Sequence, residues 1–524
     1  MATRLDQSKR NSLTSACNSV MAHSQQEVIE AVDLARRQGY SLYPISTGRN
    51  WGYGGSMPVA KSSRILDLSK MNRILNADEI GLDNPVAVIE PGVTQAQLHA
   101  FLQERCPELM FNVTGSARDT SILGNSLDRG VGYFGPRRED VFGLEVVTGR
   151  GDLLRTGFRR LGEVSPLAHT HPYGFGPMLD GLFFQGNFGI VTSACFRLIP
   201  RRPLHAALTM SLHDPSLLGT FVDRLAELKR ARVLTSVTHI ANRLRTCSSL
   251  EHGAVDYLVG RCGLDEAKAR ESANACLSAV SRTEWSALAA VCDTRLRVAA
   301  AVFEIRRQLA GIASVRVITS GMLNLAYPVF DRLRQIPWCR TRAAAIHAIR
   351  PLHGLVDGIP TDAPIENLLW KYGDLGRIKP ADFEASSCGV LFVSPALPLK
   401  GRQVASAVDA LEQIALKHRQ ALYMTLNIEG DTTLVGVMNL LYDKQDTDAT
   451  ARAWDCAEAL LERIRQLGLH PYRAHVGMMD SLVPQNDPYW RHIHQLKQIF
   501  DPDDIIAPGR YNFPLHADRK TKAT

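Results

Sequence analysis

No run of ~18 apolar residues occurs anywhere in the 524-residue chain, so no helix is expected to span a membrane. The opening stretch, MATRLDQSKRNSLTSACNSV, lacks the ~7–15-residue apolar core of a secretory leader, and the expectation is a cytoplasmic protein. Ten cysteines lie scattered from Cys17 to Cys456 with no CxxC, which excludes a zinc ribbon or a disulfide framework and predicts packed, reduced thiols. His169 and His171 have no acidic or cysteine partner at ligand spacing, so they read as loop residues and no metal is expected. Charge of one sign is also scarce. Sixty basic against 53 acidic residues leave +7, and basic residues cluster no more densely than pairs such as Arg159-Arg160 and Arg201-Arg202 and the Lys520–Lys522 tail. Nucleic-acid binding is not the expected function. Solenoid repeats are absent, and the glycine-rich loop Thr47–Ser56 is not the GxGxxG dinucleotide fingerprint.

What remains is an ordinary globular composition, 45% hydrophobic and 22% charged, long enough for two to four domains at ~150 residues each. Residues 24–39 predict a helix, with Ser24 and Glu27 at capping-box spacing and Gly39 as the stop. Residues 41–46 predict a short buried strand, and residues 87–93 another. Thr94 is a cap candidate for a helix over 94–104. Residues 144–157 have the form of a hairpin, and 189–200 a strong strand. From 205 to 315 the spacing predicts amphipathic helices, among them 265–282 and 286–310. Residues 391–399 read as a strand, 404–420 as a helix, ALYMTLNIEG and TLVGVMNLLYD as paired strands, and 448–468 as one long helix. The fold class is α+β.

Chemistry is suggested by glycine. The loop Thr47–Ser56 holds four glycines in ten residues. Glycine lets backbone N–H groups approach a ligand, and successive N–H groups form an anion nest suited to a pyrophosphate. Alone this loop could equally be a turn between strands. Two further glycine-rich stretches, Thr114–Tyr133 and Phe184–Thr192, follow within 150 residues, each beside a strand. One extended cofactor crossing several loops requires small residues wherever it meets backbone.

The ordered blocks PISTGRNWGYGG, TGSARDTSILGNSLDRGVGY, LEVVTGRGDLLRTG, PYGFGPMLDGLFFQGNFGIVT and DPDDIIAPGRYNF resemble the FAD-linked vanillyl-alcohol oxidase and p-cresol methylhydroxylase family. The resemblance is closest to its 4-alkylphenol-oxidising branch and covers about residues 24–513. It implies a two-domain FAD-binding fold with an α/β cap over the flavin. Residues 1–205 and 475–524 would form the FAD domain, and 206–474 the substrate cap. Ser46, Thr47, Gly48, Arg49, Asn50, Trp51 and Gly52 would hold the pyrophosphate. Gly115, Ser116, Ile122, Gly124, Asn125, Asp128 and Gly132 would line the cofactor from the second stretch, and Gly186, Asn187, Gly189, Ile190 and Val191 from the third. Arg510 would face the flavin. The resemblance also implies that Tyr53 and the pair Tyr472-Arg473 bind a phenolate oxygen, which makes hydride loss from the benzylic carbon easier. A homodimer acting on a small aromatic molecule is expected, with a cytochrome or carrier-protein partner as a further expectation.

The sequence departs from the family at three places. Val390 stands where relatives attach FAD covalently, and Asn50 stands at the other attachment position, so FAD is expected to be non-covalent. The family's Asp near flavin N5 has no aligned counterpart. Asp140 or Glu139 substitutes for it as a base, or else Asp140 is an acid paired with Arg137 and Arg138. A cap-wall His of some relatives is replaced by the Val435-Gly436 region. These departures keep open a biosynthetic dehydrogenase acting on a C–OH, C–N or C–C bond of a larger or carrier-tethered molecule, and a flavin-binding subunit without catalysis.

Overall fold

The computed structural model describes residues 19–280, 283–372, 380–484 and 486–515. The opening segment with Cys17 and the Lys520–Lys522 tail lie outside the described residues. The chain forms two units around a long cleft.

The first unit begins with helix Gln25–Gln38. Ser24 accepts from the Glu27 N–H, and Gly39 ends the helix at φ 70°. The Glu27 carboxylate reaches the His23 N–H, one residue before the expected partner. Val28, Val32 and Ala35 bury one face of the helix against Leu42 and Leu66. Those residues belong to a parallel three-stranded sheet, Ser19–Met21, Arg64–Asp67 and Leu42–Ile45. Beside it stands a four-stranded antiparallel sheet of Val86–Ile89, Gly189–Arg197, Val141–Thr148 and Leu153–Arg155, which contains the expected hairpin. The C-terminal segment returns to this unit. Leu42 exchanges backbone hydrogen bonds with Ile505 and Ala507, and the fully buried Lys497 pairs with Asp501 at 2.6 Å while donating to the Asn187 and Ile506 carbonyls.

The second unit is an eight-stranded antiparallel sheet in the order Ala313–Ile318, Leu204–Leu212, Trp285–Asp293, Thr238–Asn242, Tyr423–Ile428, Thr433–Asp443, Cys388–Pro398 and His470–Arg473. Side-chain alternation gives it two faces. Leu391, Val393, Met424, Leu426, Met438 and Leu440 point to one face, and helices Leu218–Arg230, Gly401–Lys417 and Thr447–Gln466 contribute to the same core. Phe392, Tyr423 and Asn439 lie on the other face, toward the first unit.

The helix expected over 286–310 is a correction. Trp285–Asp293 is a central strand, and only Arg295–Gln308 is helical, capped by Thr294. Strands also occupy 204–212, 238–242 and 313–318 within the region read as helical. Alanine favours a helix locally, but Ala289 and Ala290 alternate between the two cores. Small side chains there let the sheet pack closely on both faces, and that packing overrides propensity.

Candidate active site

An open cleft enclosing about 1090 Å³, its mouth included, runs between the loops of the first unit. Ser46, Thr47, Gly48, Arg49 and Asn50 line it from the first glycine loop; Gly124, Asn125 and Asp128 from the second; Gly186, Gly189, Ile190 and Val191 from the third; and Arg510 from the C-terminal segment. The three loops read from the sequence therefore meet at one place. Gly186 is required by packing, since a Cβ there would come within 1.9 Å of the Leu182 carbonyl oxygen.

Other expected cofactor residues stand behind the cleft wall. Ile122 is in the core. Ser116 bonds Thr114, and Gly115 faces Pro364. Gly132 packs on Asn112, and Asn187 braces Ala507. Trp51 stacks on Phe383 of the cap. Gly52 (φ 76°) lets its loop reach the cap, where a Cβ would meet the Phe392 ring at 2.1 Å.

Tyr43, Thr120, Ser121, Gln185 and Ala507 also line the cleft and were not expected. Gln185 and Ala507 adopt positive φ, 57° and 41°. Side chains rarely hold that conformation, and such strain concentrates at binding sites. The sequence carries no signal for it, because neither residue is glycine or asparagine.

The expected phenolate residues do come together. Tyr53 is 5% exposed. Its hydroxyl shares a 2.8 Å hydrogen bond with Ser394, its ring stacks on Phe392, and the Arg473 guanidinium sits 4.0 Å over that ring. Its hydroxyl also bonds that of Tyr472. Burial raises the pKa of both phenols despite the opposing Arg473, so both stay protonated and able to donate. Burial works to lower Arg473, but Asp128 and the two tyrosines outweigh it and raise its pKa.

Asp128 organises the site. It accepts from Arg473 Nη2 at 2.5 Å and from Arg510 Nη2 at 2.9 Å. Asn50 takes a second bond from Arg473, and the Tyr43 hydroxyl a second from Arg510. Burial pushes the Asp128 carboxyl up, and the two guanidiniums more than reverse this, leaving it ionised.

Asp140 lies elsewhere. It pairs with Arg197 at 2.9 Å, accepts from Asn112 at 2.8 Å, and belongs to a separate cleft with Phe134 and Pro136. Arg137 is buried beneath Phe111 and Phe196. The structure does not bring Asp140 to Tyr53 and Tyr472. The carboxyl that does influence Tyr472 is Glu429, 6% exposed, with one oxygen unpartnered and a pKa raised by burial to about 7. The signal for it was an acid directly after an apolar alternating strand, in MTLNIEG.

Val390 is buried among Trp51, Tyr423 and Leu441. The nearby Cys388 thiol bonds the Leu368 carbonyl and is pushed by burial up to about 12, so it is an inert thiol.

The cleft fits an extended dinucleotide. Small residues form its wall, Arg510 brings a cation, and Thr120 Oγ1 lies buried on its lining without a partner. Fold and site thus define a flavoprotein whose cofactor cleft is roofed by a separate sheet. A family model described as an FAD binding domain matches residues 19–157. The chain is 31% identical over 508 residues to the 1'-carboxy-chondrochloren decarboxylase of Chondromyces crocatus, covering 94% of this chain and 89% of the relative. It is 26% identical to the 4-cresol dehydrogenase [hydroxylating] flavoprotein subunit of Pseudomonas putida, covering 95% and 88%. Its fold matches 4-ethylphenol oxidase from Gulosibacter chungangensis with a TM-score of 0.78 at 24% identity, covering 98% and 94%. The chain belongs to the p-cresol methylhydroxylase and vanillyl-alcohol oxidase family. It is an FAD-dependent oxidoreductase.

Proposed function

We propose that the enzyme oxidises a para-substituted phenol at its benzylic carbon, with the phenol held as phenolate by Tyr53, Tyr472 and Arg473. The observation that carries this reading is the buried cluster of two neutral phenol donors and one guanidinium, fixed from behind by Asp128. Bound FAD would supply the hydride acceptor. Residues of the cleft wall hold it without a covalent link, because neither Val390 nor Asn50 offers a nucleophile. Tyr53 and Tyr472 donate to the phenolate oxygen, and the Arg473 charge lowers the substrate's pKa. Electron density from that oxygen drives hydride off the benzylic carbon and leaves a quinone methide. Water then adds to that carbon and gives up a proton, which restores the phenolate.

A second reading is favoured by the 31% identical decarboxylase. In that reading the quinone methide of a substrate with a neighbouring carboxylate loses CO2. The C–COO⁻ bond pair becomes a C=C bond, and the ring regains its phenolate. The two readings differ only in the last step.

Anaerobic mixing with 4-ethylphenol tests the shared part. The yellow flavin should bleach, and Tyr472→Phe should lower kcat/KM about 100-fold, comparable to losing one donor aimed at a developing charge. Turnover by that variant at the wild-type rate would remove the phenolate role.

A further inference from the structure

We propose that Gln185 is a positioning residue: it ties the wall of the cofactor cleft to the strand that carries Tyr472 and Arg473, and so fixes the phenolate pair relative to the cofactor. The inference rests on the phenolate reading and adds the residue that aligns its donors.

The strand His470–Arg473 is weakly held by its own sheet. It is the last strand of the cap, and among the described residues it pairs on one side only, with Cys388–Pro398. The register jumps along that pairing. Arg473 lies opposite Ser394 and Pro471 opposite Pro395, which leaves Tyr472 at a bulge without a cross-strand partner. Neither proline has an N–H to give to the ladder. Bulges re-aim side chains beside active sites, but a re-aimed side chain needs a second hold. Asp128 and Asn50 grip the Arg473 guanidinium, and the Tyr53 hydroxyl meets that of Tyr472. Those bonds act on the ends of side chains and leave the backbone between them to be fixed.

Gln185 fixes it from the other unit. Its Nε2 donates to the Tyr472 carbonyl at 2.9 Å, across 287 positions of sequence. Its own N–H donates to the Leu127 carbonyl at 2.8 Å, next to the Asp128 that Arg473 and Arg510 share. The residue also lines the cofactor cleft. One residue thus joins the cleft wall, the Asp128 turn and the phenolate strand. Its backbone stands at φ 57°, a left-handed conformation that glycine or asparagine holds at lower cost. Strain of this kind at a binding site points to a use for the side chain, and here the use is the bond to Tyr472. Hydride transfer depends steeply on placement, a shift of ~1 Å costing about 100-fold in rate. Binding of the phenol needs only that the donors stay within reach.

Gln185→Asn and Gln185→Met separate positioning from stability. Asparagine tolerates the left-handed backbone but is one methylene shorter, too short for the Tyr472 carbonyl. Methionine keeps the length and lacks the donor. The holoenzyme of each variant is mixed anaerobically with 4-ethylphenol, and the concentration dependence of flavin reduction gives a limiting rate and a Kd. Both variants should lower the limiting rate about 10- to 100-fold while Kd shifts by less than about threefold. Flavin content should match the wild type, and the melting temperature of Gln185→Asn should stay level or rise, because backbone strain is relieved. A wild-type limiting rate in either variant would overturn the proposal. So would a rate loss that appears only together with lost flavin or a lower melting temperature, since Gln185 would then be structural. If 4-ethylphenol does not reduce the wild-type flavin, the phenolate reading falls and this proposal with it. Normal reduction of the wild type with unaffected variants removes the role of Gln185 alone.

Discussion

Replacing Asp128 with Asn removes one negative charge from between two buried guanidiniums. Asp128 is 6% exposed, with Arg473 at 2.5 Å and Arg510 at 2.9 Å. Breaking a buried ion pair from one side costs about 3–5 kcal/mol. Here Asn keeps one acceptor oxygen, and Asn50 and Tyr43 retain their bonds to the two arginines. We therefore expect a cost just below that range, about 2–3 kcal/mol, expressed in the position of Arg473 above Tyr53. At about 1.4 kcal/mol per tenfold, this predicts a loss of roughly 30- to 150-fold in the rate of flavin reduction by 4-ethylphenol. The assay is anaerobic stopped flow on protein reconstituted with FAD, with flavin content measured alongside because Arg510 loses the same partner. Charge alone would act in the opposite sense. Without Asp128 the net positive field at the phenol grows, and a well-placed Arg473 would then stabilise phenolate better. A variant as fast as the wild type, or faster, would show that Asp128 does not position Arg473 and would refute the reasoning.

Three further outcomes are expected. Acid precipitation should release the flavin into the supernatant, and a yellow pellet would contradict non-covalent binding. Gly186→Ala should abolish FAD retention or lower the melting temperature by several degrees, because its Cβ would collide with backbone at 1.9 Å; normal flavin content and unchanged melting would show that the loop yields. Glu429 has a folded pKa of about 7, above its unfolded value, so the folded state binds its proton more tightly. Its contribution to stability is therefore fully present below the unfolded pKa near 4.3 and is lost as pH rises through about 7. Glu429→Gln should flatten that decline in urea titrations between pH 5 and 8, and an unchanged slope would remove the assignment.

The sequence by itself determined what depends on local chemistry. The Ser24 cap, the Gly39 stop, the hairpin at 144–157 and the glycine loops need only spacing and side-chain type. The order of those loops, with the Tyr-Arg pair and the tail, carried the family and hence FAD. Tertiary structure decided whatever depends on distant partners. Trp285–Asp293 is a strand because sheet neighbours on both sides and two cores claim its small side chains, which local propensity cannot register. Asp140 left the expected site because Arg197 and Asn112 hold it elsewhere. Asp128 gained its role as the shared counter-charge of Arg473 and Arg510, residues 345 and 382 positions away that only folding brings within hydrogen-bond reach. Glu429 is an ordinary charge in the sequence. Its enclosure, which shifts the carboxyl to near neutrality, exists only once the cap sheet closes over the first unit.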